Sequence, residues 1–274
     1  MIFGLEASIA FCVNPKEDET MASIEVDWDR YAEQYDPVTI GGSNPAYLEL
    51  VAKATRFFAG LELKRGSLVA DLGGGTGNFT LPIAEIYPDS RFVIVDQSEV
   101  MLQKAREKAE AKGLDNVDVV HGDVEDIEAL VETYGRPLSH VLMIHSLYAT
   151  GSLTRPEKPS RILRNICKGL ADSQSRFFLA DINRPHRLLN WMPYCLWHAY
   201  KTSGSVRRTI RFLTENNQAR LASKYTDIKQ RDGSFLVCTL DELVQLIREA
   251  GFSEIYYKSD EYFRGRDNLV IAGK

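Results

Sequence analysis

Short unbroken apolar runs alternate with amphipathic stretches through the middle of this chain. The runs are Leu68 to Asp71, Arg91 to Asp96, Val117 to Asp123, His140 to His145 and Ser175 to Asp181. A short run of this kind, bounded by turn residues, predicts a buried strand. Between the runs, apolar residues return at helical spacing. Met101, Leu102, Ala105 and Ala109 form one such stripe, and Ile162, Leu163, Ile166 and Leu170 another. Ser98 is placed to cap the first of these helices and Gly113 to end it. A further helix is expected from about Gly77 to Ile86. Strand and helix in alternation predict a parallel sheet with helices on both faces.

The rhythm changes towards the end. Thr239-Leu240-Asp241-Glu242 is a capping box, and Leu243, Leu246, Ile247 and Ala250 make the buried stripe of the helix that follows. Phe252 to Lys258 and Asn268 to Ala272 read as two strands. The polar turn around Arg264 to Asp267 is too short for a crossover and suits an antiparallel pair. Two regions lie outside the scheme. One holds Trp28, Tyr31 and Tyr35 at helical spacing, then a helix over about Pro45 to Gly60. The other is an insertion of about 50 residues from Asn183 to Gly233, too long for an ordinary loop. It carries Trp191, Trp197, His198 and Tyr200, then Arg207, Arg208 and Arg211.

The richest chemistry follows the first strand. Asp71 ends it, and Gly73, Gly75 and Gly77 occupy alternate positions beyond. Such a turn lets backbone approach a ligand closely, at the strand end where open α/β sheets bind ligands. A dinucleotide fingerprint needs a third glycine three residues after the second, and that position is Asn78. Asp71 would also serve a pyrophosphate poorly and a cationic ligand well. Asp96 ends the second strand about 20 residues on, where a carboxylate can accept from both ribose hydroxyls. Asp123 closes the third strand.

The pattern D-x-G-x-G-x-G, with ordered acids at Asp71, Asp96 and Asp123, resembles the class I S-adenosylmethionine-dependent methyltransferases of the small-molecule type. The resemblance covers about residues 65 to 274. It implies an α/β, Rossmann-like, seven-stranded and mostly parallel sheet with an antiparallel last strand. It also implies a helical cap built from the N-terminus and from the insertion after the fifth strand. The implied cofactor is S-adenosylmethionine, held by Asp71, Gly73, Gly75, Gly77, Asp96, Gln97, Asp123, the backbone amide of Val124, and His145. The domain scheme is then an extension at 1–24, N-terminal cap helices at 25–64, a cofactor-binding core at 65–183, an inserted cap at 184–233 and the rest of the core at 234–274.

Composition narrows the function. The 274 residues carry a formal net charge of −5, with 44% hydrophobic and 26% charged positions. That balance suits a soluble globular protein and argues against a nucleic-acid partner, which favours a basic domain. No stretch reaches the ~18 apolar residues of a membrane span. Met1 to Val13 lacks the basic start of a signal peptide, and Met21 is an alternative start. Cys12, Cys167, Cys195 and Cys238 form no C-x-x-C pair and read as free thiols of a reducing, cytoplasmic compartment. A homodimer stays open.

Methyl transfer from a sulfonium needs alignment and exclusion of water more than a fixed triad. A base helps when the acceptor must lose a proton. His145 and Tyr148 follow the fourth strand, where the resembled family faces the methyl group, and are the candidates for base and orienting group. Trp28, Tyr31, Tyr35, Trp191 and Trp197 are the candidates for an acceptor wall, with packing of helix on sheet as their other reading. The acceptor is expected to be a small, largely apolar or aromatic molecule methylated on O, N or C. A cyclising enzyme of the same fold, a nucleic-acid or protein methyltransferase, and a scaffold with a degenerate pocket are the alternatives. No metal is expected, because Asp181 and Asn183 lack a partner acid after the fourth strand.

Overall fold

The computed structural model describes residues 28–39, 45–183, 217–265 and 267–274, together with 193, 194, 197, 200 and 201. Seven strands form one sheet: β1 (Leu68–Leu72), β2 (Arg91–Asp96), β3 (Val117–His121), β4 (His140–Ile144), β5 (Arg176–Ile182), β6 (Glu254–Glu261) and β7 (Asp267–Gly273). Their spatial order is β3-β2-β1-β4-β5-β7-β6. β1 to β5 pair in parallel. β7 runs antiparallel to β5 on one side and to β6 on the other. The order turns outward from β1 and β4, and at such a switch point the strand ends open a crevice.

The helices are α1 (Trp28–Thr39), α2 (Pro45–Ala59), α3 (Thr80–Ala84), α4 (Glu99–Ala111), α5 (Ile127–Tyr134), α6 (Glu157–Gly169), α7 (Asn217–Arg231), α8 (Leu240–Glu249) and the one-turn α9 (Tyr262–Gly265). Ser98 caps α4 by accepting from Met101 N at 3.3 Å. The capping box of α8 is complete: Thr239 Oγ1 accepts from Glu242 N, and Glu242 Oε2 from Thr239 N at 2.7 Å. One face of the sheet is covered by α5, α6 and α8, which bury Ile127, Ile162, Ile166, Leu243 and Ile247 against Leu72, Met143 and Phe177. On the other face α2 packs Leu50, Ala54 and Phe58 against Phe92, Leu142 and Phe178.

Two elements differ from expectation. The helix after β1 starts at Thr80 and not at Gly77, because Gly77 takes a left-handed φ of +75° that no right-handed helix accommodates. The sequence groups residues 45–59 with the cap, but their contacts put them in the sheet's own core. α7, inside the inserted segment, packs against α1. Among the described residues no helix is long and apolar enough to cross a membrane.

Candidate active site

The loop after β1 is held by backbone bonds to the next strand. Gly73 N and Gly74 N both donate to Val95 O, at 2.7 and 3.2 Å. Gly73 has φ +72°, and a Cβ there would lie 2.5 Å from Ser146 Cβ. Ser146 in turn donates to Leu72 O at 2.9 Å. The position is therefore fixed by the neighbouring strand end. Gly75 differs. Its φ is +54°, yet a Cβ would meet nothing closer than Asp96 Oδ2 at 3.9 Å. Gly75 thus faces open space beside the crevice, where close approach of a ligand would use the missing side chain.

Asp71 sits behind the loop and not in the crevice. It is 2% exposed and accepts from Thr80 Oγ1 at 2.5 Å. Burial pushes its carboxyl up to about 7, with the Thr80 bond pulling it back and Asp96 adding to the rise. Asp96 faces the loop from the end of β2. Its Oδ2 accepts from Gly75 N and its Oδ1 from Ser98 N, both at 2.9 Å. A carboxylate oxygen has two lone pairs, so each oxygen keeps one acceptor site for a further donor. Asp123 Oδ2 accepts from Gln97 Nε2 at 2.9 Å and from Lys158 Nζ at 3.3 Å, and its Oδ1 from Glu125 N at 3.0 Å. Val124, next along, buries its side chain in the core. A cavity of about 180 Å³ lies beside Asp123, with Leu72, Val95, Gly122 and Ile127 among its walls.

Across the switch point, His145 takes up the end of β4. It has φ +53°, the only positive φ of a non-glycine among the described residues. Such a residue persists only where its surroundings over-determine it, and such sites cluster at functional centres. His145 N donates to Ala180 O at 2.8 Å, and Nε2 lies 2.5 Å from Asp267 Oδ2. Asp267 is fully buried at the start of β7, opposite Ile182. Because β7 is reversed, its first residue stands at the edge where the other strands end. Asp181 lies alongside, accepting from Tyr148 N at 2.8 Å and from Ile182 N at 2.8 Å. Burial lifts its carboxyl to about 7, against the pull of the neighbouring His145 and the two amides.

Aromatic rings gather above this floor. Tyr31 and Tyr35 of α1 meet edge to face with centroids 5.6 Å apart, and Tyr35 meets Tyr47 at 6.3 Å. Burial and mutual proximity hold the Tyr31 and Tyr35 hydroxyls far above their ordinary range, and Tyr148 contributes to both. Tyr148 packs on Phe235 at 5.1 Å, which packs on Tyr225 of α7 at 6.0 Å. So Tyr31, Tyr35 and Tyr148 come together. Trp197 does not join a closed wall: it is 55% exposed, with Lys201 Nζ 4.3 Å above its ring. The side chain of Trp28, and Trp191, His198, Arg207, Arg208 and Arg211, lie outside the described residues.

A family model described as "Methyltransferase domain" matches residues 63–251. The chain belongs to that family. This methyltransferase-domain protein is 38% identical over 74 residues to 2-methyl-6-phytyl-1,4-hydroquinone methyltransferase 1 of Oryza sativa subsp. japonica, a match covering 27% of this chain and 22% of that protein. A carboxy-S-adenosyl-L-methionine synthase of Nautilia profundicola is 22% identical, covering 68% of this chain and 70% of its own. The chain thus spans about a fifth to a quarter of the hydroquinone enzyme's length. Among solved structures, magnesium protoporphyrin IX methyltransferase from Synechocystis PCC 6803, with bound SAH, shares the fold at TM-score 0.54 and 17% identity, covering 84% of each chain. The cofactor of this methyltransferase-domain protein is S-adenosylmethionine, and the open face at Gly75 beside the spare acceptor sites of Asp96 fits it.

Sequence reasoning passed over Asp267, reading it as part of a polar turn. It also passed over Asp36, Thr76 and Lys108, and noted Asn78 only as an absent glycine. An acid two residues ahead of the apolar run Leu269 to Ala272 was the available signal for Asp267. Nothing local marks the others, whose partners lie far away along the chain.

Proposed function

We propose that this protein transfers a methyl group from S-adenosylmethionine to a small, largely aromatic acceptor whose reacting group must lose a proton. One observation carries the reading: a histidine in a left-handed conformation at the end of β4, with its Nε2 2.5 Å from a buried carboxylate. A proton on Nε2, donated to Asp267, fixes the tautomer and the orientation of the ring, and the buried carboxylate favours the imidazolium that would form on removing a proton from an acceptor. Such a base is useful for a phenolic or similar hydroxyl and idle for an acceptor already deprotonated.

The cofactor supplies an electrophilic methyl when bound. Asp96 would hold the ribose, Asp123 and the amide of Val124 the adenine edge, and the glycine loop the methionine end. Tyr31, Tyr35 and Tyr148 would give the acceptor apolar walls with polar tips. The relative that methylates a hydroquinone fits this acceptor class. The net charge of −5 favours a small-molecule acceptor over a nucleic acid, and no helix long and apolar enough for a membrane span stands among the described residues.

Methyl-labelled S-adenosylmethionine offered with 1,4-hydroquinone, catechol and simple phenols tests the reading. Label should reach at least one of them, and His145→Ala should slow that transfer about 100-fold or more while S-adenosylhomocysteine affinity holds. Transfer to ribosomal RNA and to none of the phenols would sink it.

A further inference from the structure

A polar network joins α1 to the cofactor loop and to α4, and the acceptor chemistry above makes no use of it. Asp36 Oδ1 accepts from Thr76 Oγ1 at 2.7 Å and from Asn78 Nδ2 at 3.0 Å. Asp36 Oδ2 accepts from Lys108 Nζ at 3.0 Å, and the same ammonium donates to Asn78 Oδ1 at 2.7 Å. Asn78 Nδ2 also lies 3.3 Å from Tyr47 OH, whose hydroxyl is 3.3 Å from that of Tyr35. Three distant segments therefore converge on the residues flanking Gly77.

The network is mostly shielded from water. Thr76 is 1% and Asn78 8% exposed, and the side chains of Asp36 and Lys108 keep 21% and 26% of their surface. Burial pulls the Lys108 ammonium below its ordinary range, and Asp36 restores part of the loss. Deleting either charge leaves the other half-buried and unmatched, a change costlier than losing an exposed ion pair. Thr76 and Asn78 belong to the loop that carries Gly75, and Asp36 belongs to the helix that carries Tyr31 and Tyr35. The position of one thus constrains the position of the other.

We infer that Asp36, Asn78 and Lys108 form a latch through which an occupied cofactor loop holds α1 in its seat, and the seated α1 slows release of the cofactor. The two effects are one coupling seen from either side, so cofactor affinity and the seating equilibrium of α1 must shift by the same factor. Asn78 serves both partners at once, its amide donating to Asp36 while its carbonyl accepts from Lys108. The latch makes these three positioning residues, acting on the site through the helix they hold.

Stopped-flow release of S-adenosylhomocysteine, with trypsin cleavage after the exposed Arg30 of α1, tests it without any acceptor. S-adenosylhomocysteine should protect Arg30 in the native protein. Lys108→Met and Asp36→Asn should each speed release about 10-fold and abolish the protection. The double variant should be no faster than either single one, and Lys108→Arg should stay near the native rate. Variants that melt earlier but release S-adenosylhomocysteine at the native rate would make the network structural only and overturn the latch. So would a native protein whose Arg30 gains no protection from the ligand.

Discussion

At the scale of single residues, the strand-end acids differ in what surrounds them. Asp96 ties down two backbone amides and still has an acceptor site on each oxygen. Asp96→Ala should therefore lower S-adenosylhomocysteine affinity at least about 10-fold by calorimetry, since charge-assisted bonds contribute ~1.5–3 kcal/mol each. Asp71 is the opposite case, a carboxyl enclosed behind the loop. Burial sets its folded value at about 7 against 3.8. Between those values the folded state holds a proton that the unfolded chain has lost. Its contribution to stability is complete below about pH 4 and is lost as pH rises through 7. Asp71→Asn keeps an acceptor for Thr80 and removes the titration. Its melting temperature should exceed the native one at pH 8, by about 2–4 °C for each kcal/mol relieved, and the gap should narrow as pH falls to 5. The acids were legible because each ends an apolar run. Asp267 was not, because its partner His145 lies on a strand that the chain leaves long before.

At the scale of elements, α1 and α2 follow one another in sequence and do different work. The tyrosines of α1 face the strand ends, while α2 buries Leu50, Ala54 and Phe58 in the core. Both are amphipathic, and amphipathicity says which face is buried without saying against what. That is why the sequence placed them together in a cap. Phe58 is fully buried against His140 and Phe178. Phe58→Ala should cost about 3–5 kcal/mol in denaturant unfolding, and a loss below 1 kcal/mol would return α2 to the cap. The strands were easier to read, since a buried parallel strand is an unbroken apolar run wherever it sits. The α3 boundary was misplaced because local pattern does not show that Gly77 is left-handed.

At the scale of the whole molecule, the alternation of runs and stripes was enough for the sheet, its parallel half and the reversed pair at the end. The residues proposed for the cofactor side could be picked out for the same reason: they lie at strand ends in one continuous half of the chain. The acceptor side proposed above would draw on α1, the end of β4, α7 and β7, whose meeting depends on long-range packing that no local window contains.

The reversal of β7 also sets an order of assembly during synthesis. β1 to β3, the glycine loop and Asp123 have all been synthesised once residue 124 is made. β7 comes last, and its berth lies between β5 and β6 instead of at the margin of the sheet. A growing chain that stops short of residue 267 has its cofactor half spelled out and no acid beside His145. The carboxylate beside His145 thus arrives with the strand that closes the sheet, so under the proposed mechanism a growing chain lacks the partner of its base until that strand is in place.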